Sequence, residues 1–236
     1  MDYVKITAAA LTVAAFIAVP RQPAEAHANR ANEASGAIPP LVVAALQHAA
    51  TARVYRIDDV ATGASTGSYQ HQIIARQGHT AETYLWTTRL PGLDAHAAGA
   101  PSDESIFTLP QTCNRPTPRD QWSCQSESGA VPTLADNLKA LLPGRWTSLG
   151  VRMVAGQRCH GYGARLPLAG VKTTVHLSVW INPATGFPVA EKADLPSSSA
   201  PGGSDTQDGL FSGWNDTKLF ALLPSVPGLT SGVPRR

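Results

Sequence analysis

Two spacings of apolar residues divide the chain. From Ile38 the segment IPPLVVAALQHAATA places Ile38, Leu41, Val42, Ala45, Leu46 and Ala49 at helical spacing, and Pro39-Pro40 suits a helix start. The apolar period then falls from 3.6 to 2. Arg53–Val60 reads as a strand, Ala61–Gly67 as a turn, and Ser68–Arg76 and Ala81–Thr88 as a hairpin joined near Gln77-Gly78-His79. Ile106–Leu109 and Gln121–Ser126 are shorter strand candidates. Thr133 opens a second helix, TLADNLKALLPG, with Asp136 near a capping-box position. Its apolar stripe is Leu134, Leu138, Leu141 and Leu142, and Pro143-Gly144 ends it.

The last third is the most regular. Leu149–Val154, Arg158–Leu166, Val171–Ile181 and Phe187–Leu195 predict a meander, with turns at Ala155-Gly156, Leu168–Gly170 and Asn182–Gly186. In the third strand Val171, Thr173, Val175, Leu177, Val179 and Ile181 share one face. Lys172, Thr174, His176, Ser178 and Trp180 share the other. A one-residue slip inverts that pattern, so the register is firm. Residues 197–209 (SSSAPGGSDTQDG) read as a loop by composition. Leu210–Trp214 returns as a short strand, and the Pro-rich tail is extended. Two apolar-faced helices and roughly nine strands predict a mainly β (α+β) fold: a curved, unclosed antiparallel sheet with helices covering its concave face.

The N-terminus obeys neither period. Lys5 precedes an uncharged run from Ile6 to Val19, shorter than the roughly 20 residues of a bilayer span. Pro20 ends it, and Ala24-Glu25-Ala26 and Ala26-His27-Ala28 both fit a small-x-small cleavage site. Residues 1–28 therefore read as a signal peptide and 29–37 as a disordered lead-in. Residues 38–224 read as one domain and 225–236 as an extended tail. No Cys follows the apolar run, so a lipid anchor is not expected. No second long apolar run follows either, and the expected location is secreted or periplasmic.

Composition narrows the classes. The formal net charge is +2 over 236 residues, with 15% charged. Lys and Arg are scattered, which argues against nucleic-acid binding. Gly 20 and Pro 19 suit a turn-rich β protein. Of three cysteines, Cys113 and Cys124 bracket a short turn-like segment, and their pairing is favoured. Closing so small a loop contributes about 2–3 kcal/mol. Pairing of Cys159 with either is the rival. No CxxC or HxxxH spacing supports a zinc site.

Candidate chemistry is sparse. Gly63-Ala64-Ser65-Thr66-Gly67 matches G-x-S-x-G, but a strand rather than a helix is expected after it, so it reads as a hairpin turn. His48, His71, His79, His96, His160 and His176 fit no ligand spacing, although His71 and His79 can face each other across a hairpin. Asp58, Asp59, Glu82, Asp94, Asp103, Glu104, Glu127 and Asp136 are scattered. The five tryptophans lie in or beside strand candidates and pack a core, or line an apolar pocket between sheet and helices. No cofactor and no catalytic residue is expected.

Two segments carry a resemblance. Leu149–Tyr162 (LGVRMVAGQRCHGY) resembles the G-x-x-x-V-x-G-x-x-C/T-x-x-Y segment of LolA-like exported proteins. Val179–Val189 (VWINPATGFPV) resembles their V-W-I-D-x-x-T-G-L-P-V hairpin. The architecture is similar to that of the LppX/LprG lipoproteins and the RseB/MucB sensor domain. The likeness is good over about residues 133–195 and architectural over 38–130. It implies an unclosed curved sheet plugged by helices, with an apolar cavity that carries or senses acyl chains. Val175, Leu177 and Val179 would supply one wall, with Trp86 and Leu138 as further ligand-lining residues. The expected function is therefore a non-enzymatic carrier or chaperone of lipid or another hydrophobic ligand. An envelope-stress sensor that binds a protein partner, or a secreted hydrolase with an unrecognised site, are the alternatives.

Overall fold

The computed structural model describes residues 37–62, 67–77, 80–90, 103–108, 111–126, 141–167, 174–196 and 204–229. The first element is helix α1 (Pro40–Thr51). Eleven strands follow: β1 (Val54–Thr62), β2 (Gly67–Gln77), β3 (Thr80–Leu90), β4 (Asp103–Thr108), β5 (Gln111–Arg115), β6 (Ser123–Ser126), β7 (Arg145–Val154), β8 (Gln157–Pro167), β9 (Thr174–Ile181), β10 (Pro188–Pro196) and β11 (Ser204–Ser212). A short 3₁₀ helix, Thr217–Leu222, comes last. All eleven strands form one antiparallel sheet in the order β6-β5-β4-β3-β2-β1-β11-β10-β9-β8-β7. The sheet does not close: β6 and β7 are its two edges.

Two meanders meet at the pair β1–β11, where Ile57 lies opposite Phe211 and Asp59 opposite Gly209. The predicted mainly β fold is therefore present, with one correction. Residues 204–209, expected as loop, are the first six of the nine residues of β11. Their polar composition misled because the chain there is sandwiched between β1 and β10, which satisfy its backbone.

Strand alternation gives the sheet two packed faces. The inner face carries Val175, Leu177, Val179 and Ile181 of β9 with Ala164 and Leu166 of β8, and Val42, Ala45 and Leu46 of α1 pack on them. Leu141, at the end of the second predicted helix, joins this cluster. Leu142, expected on the same apolar stripe, is instead exposed in the turn that follows, and residues 133–140, Leu138 included, lie outside the described residues. The outer face is also covered. Phe220, Leu223 and Val226 of the C-terminal segment pack on Val54, Ile73, Tyr84, Ile106 and Cys113. Trp180, on the polar-reading face of β9, is buried against Cys159, Val154, Val189 and Ala190. Its ring fills the space above Gly161, where a Cβ would collide with it, and Arg152 stacks on the ring at 3.7 Å.

The β9–β10 turn shows how local sequence sets geometry. Asn182 Oδ1 accepts from the Ala184 N–H (2.9 Å), and the Asn182 C=O accepts from the Gly186 N–H (2.8 Å). Gly186 sits at φ +71°, a conformation that side chains disfavour. The resulting bend carries Phe187 under α1, where its ring meets His48 at 5.3 Å. Phe187 stacks on Trp214 (4.5 Å), and Trp214 stacks on Tyr55 (4.3 Å). Arg76 lies over Tyr55 and donates from Nη1 to the carbonyls of Ala49 (2.8 Å) and Ala52 (3.4 Å). The C-terminal end of α1 is thus fixed to the sheet by an aromatic column and a cationic cap. Its N-terminal end has no side-chain cap.

At the β6 edge, Cys113 and Cys124 lie directly opposite each other and form a disulfide, while Cys159 is free and buried. Arg115 pairs with buried Glu104 and covers the Trp122 ring at 4.6 Å. The edge is therefore fastened covalently and ionically. Replacing both Cys113 and Cys124 by Ala is expected to lower unfolding stability by about 3 kcal/mol, by loop-closure entropy. Chemical-denaturation midpoints with and without reductant check this. Reductant should move the wild type toward the variant and leave the variant unchanged.

Candidate functional site

α1 does not seal fully against the inner face. Val42, Ala45 and Leu46 of the helix, Leu141, Trp146, and Leu177, Val179 and Ile181 surround a cavity of about 20 Å³. This holds a water-sized guest, far below the roughly 300–1,000 Å³ of pockets that enclose a small molecule. The Trp146 indole N–H reaches toward the Leu141 carbonyl (3.4 Å), so its polar edge is turned out of the apolar space. One charged residue lines the cavity: Glu191 of β10, only 4% exposed.

Glu191 belongs to a polar group on the inner face. It lies opposite Gly209, which lies opposite Asp59. Asp59 is fully buried, Gln207 is 2% exposed and Gln72 is 2% exposed. Gln72 Nε2 donates to Asp59 Oδ2 at 2.9 Å. Gly209 leaves the space these groups occupy, since a Cβ there would collide with Asp59 Oδ1 and stand 3.5 Å from Glu191 Oε1. Asp59 Oδ1 and both amide atoms of Gln207 are buried without a hydrogen-bond partner. The Gln207 amide faces Asp59 outside hydrogen-bond geometry. Burial pushes the Asp59 carboxyl up from 3.8 to about 7, against the opposing pull of the Gln207 and Gln72 amides. Neighbouring Asp58 adds a smaller push in the same direction.

Asp58 itself points to the outer face. His71 Nδ1 lies 2.5 Å from Asp58 Oδ1, and Arg56 Nε donates to the same oxygen at 2.8 Å. Burial alone would raise Asp58, but His71 and Arg56 together hold it below the usual carboxylate range. Adjacent aspartates thus serve opposite faces, one paired with Arg56 and His71 and one enclosed among amides.

The expected ligand wall is only partly traceable. Leu177 and Val179 line the cavity, and Val175 lies in the same buried cluster, one alternation further along β9. Trp86 stands in β3 at the register position opposite His71, with four strands between it and β9. Its side chain and Leu138 lie outside the described residues. His79 lies outside them too, and His71 engages Asp58. Ser65 is likewise outside them. Gly67 opens strand β2, where a nucleophile elbow needs a helix. Among the described residues, no group of three or more His, Cys, Asp or Glu converges on a metal-sized site.

Sequence reasoning missed the polar group. Asp59 was one carboxylate among many, and Gln207 and Gly209 fell in the segment taken for a loop. The available signal was an apolar-to-polar switch along one strand face: Tyr55, Ile57, then Asp59.

Asp59 sets a sign for pH dependence. The unfolded chain loses this proton near pH 4, while the folded protein keeps it until about pH 7. Stability from this group is present at low pH, falls between those values and levels off above them, by about 4 kcal/mol in total. Asp59→Asn should remove that slope. Its melting temperature should exceed that of the wild type at pH 8 and approach it at pH 4, as read by circular dichroism.

No known protein family matches the sequence, and no curated protein matches it. Solved structures do. Lipoprotein LppX of Mycobacterium tuberculosis superposes with a TM-score of 0.50 at 14% identity, over 75% of this chain and 93% of that one. LprF of Mycobacterium bovis gives 0.44 at 12% identity, over 84% and 100%. A putative outer membrane lipoprotein-sorting protein domain of Vibrio parahaemolyticus gives 0.27 at 12%, over 73% and 89%. With eleven antiparallel strands among the described residues, an unclosed sheet and a helix on its inner face, the chain has the fold of LppX.

Proposed function

We propose that this protein is an exported, non-enzymatic carrier that holds a lipid or another hydrophobic ligand between α1 and the inner face of the sheet. The observation that carries the reading is the apolar interface itself. An amphipathic helix lies over Val175, Leu177, Val179 and Ile181 and leaves an unfilled space between them. The asymmetry of α1 supports it. One end is held by the aromatic column and Arg76, while the other has no side-chain cap. In this reading the uncapped end, which rests on the inner face through Ile38 and Leu41, lifts and widens the small cavity into a groove while the sheet stays paired. Among the described residues no helix is long and apolar enough to cross a membrane. In this reading residues 1–28 act as an export signal, and the carrier works outside the cytoplasm.

Two measurements test this. Protein purified without detergent is extracted and analysed by lipid mass spectrometry, and uptake of a fluorescent fatty acid is titrated. A co-purified lipid or saturable uptake is expected. Absence of both overturns the carrier reading. Val179→Trp, which fills the cavity, should lower uptake severalfold while the β-sheet circular dichroism signal is retained.

A further inference from the structure

A sheet face that receives acyl chains should be apolar, yet this one places Asp59, Gln72, Glu191 and Gln207 at the centre of the sheet, each no more than 4% exposed. Burying an amide or carboxyl without partners costs free energy, and such groups are ordinarily satisfied. Here Asp59 Oδ1, Gln207 Oε1 and Gln207 Nε2 have no partner. Glu191 links this group to the cavity, since it lines the cavity and stands over Gly209 beside Asp59.

The unpartnered atoms define the guest. They comprise two acceptors, Asp59 Oδ1 and Gln207 Oε1, and one donor nitrogen, Gln207 Nε2. A cation would satisfy the carboxyl and leave the Gln207 N–H groups unmet. An anion would face Asp59 and Glu191. A hydroxyl both donates and accepts, and so answers both kinds of atom. We infer that Asp59, Gln207 and Glu191 form a polar subsite at the inner end of the groove that takes a neutral hydroxyl group of the bound ligand. The subsite rests on the carrier reading, and it adds that the preferred lipid carries a free hydroxyl close to its chains. At neutral pH and below, a protonated Asp59 adds a second donor to the set.

The test compares two probes that share the same chains: dioleoylglycerol, with one free hydroxyl, and its methyl ether. Wild type should bind the free hydroxyl about tenfold more tightly, the scale of one buried hydrogen bond. In Gln207→Met that preference should collapse while the methyl ether binds as before. Melting of the ligand-free Met variant should be unchanged or higher, because an unpaired buried amide is replaced by an apolar side chain of similar length. Where the Met variant melts markedly lower, its binding is set aside and Asp59→Asn is read in its place: its discrimination between the probes should fall, and undiminished discrimination overturns the subsite. Equal affinity of the wild type for the two probes also overturns it, and leaves the carrier reading standing. Binding of neither lipid probe nor of glycerol, together with empty lipid extracts, overturns both. Free glycerol serves as a third probe: binding of glycerol without either lipid supports the hydroxyl subsite and removes the carrier reading.

Discussion

The structure depends on the pairing of its first strand with its last. β1 and β11 lie side by side in the middle of the sheet, with Arg56 opposite Ser212 and Thr62 opposite Thr206. Each half of the chain is a meander that local turns can assemble, and neither half alone completes a covered face. The pairing supplies what both lack. It sets Phe211 beside Ile57 and Trp214 on Tyr55, and it delivers the C-terminal segment to the outer face of β1–β5. The contact joins residues far apart in sequence, so its loop-closure cost falls late in folding. A break in this register would separate the meanders and expose both clusters.

The same pairing explains how much of the fold could be read in advance. β9 was legible because Val175, Leu177, Val179 and Ile181 alternate cleanly and all four are buried as that pattern requires. The β9–β10 bend was legible because Asn182 and Gly186 carry their conformational preferences with them. β11 was half legible. Leu210–Ser212 read as strand, whereas Ser204–Gly209 owes its conformation to neighbours contributed by distant sequence. The polar group was illegible for the same reason. Asp59, Glu191 and Gln207 come from three strands, and nothing local marks them as companions. The Cys113–Cys124 pair, by contrast, lies close in sequence, and its short span already made it the favoured pairing.

A two-sided core distinguishes this sheet from one that shows a face to water. The C-terminal segment covers the outer side and α1 the inner side, and in the carrier reading the inner cover is the one that moves. Rigidity and adaptability are thereby assigned to opposite faces. The aromatic column runs from His48 through Phe187 and Trp214 to Tyr55, tying the helix to the turn and to both central strands. In the carrier reading it is the hinge support: the helix can pivot while the sheet beneath keeps its register. Asp59 and Asp58, adjacent in sequence, show the same division in electrostatic form. One is neutralised by ion pairing on the fixed side, and the other is enclosed on the adaptable side.

The free edge at β7 has a consequence for behaviour at high concentration. It is ten residues long and shows Leu149, Val151 and Met153 at 43%, 49% and 64% exposure, the makings of a template for another copy. Two features oppose that. The register shifts between Ser148 and Gly150, with Gly150 at φ +81°, which breaks the flat row of backbone groups an incoming strand would need. Arg145 and Arg152 lie along the same strand, and an antiparallel self-pairing in which they are opposite brings Arg145 of one copy against Arg152 of the other. The edge is thus guarded by shape and by like-charge repulsion. The second guard is weakened by salt, so colloidal stability should depend on ionic strength more than the modest net charge alone suggests.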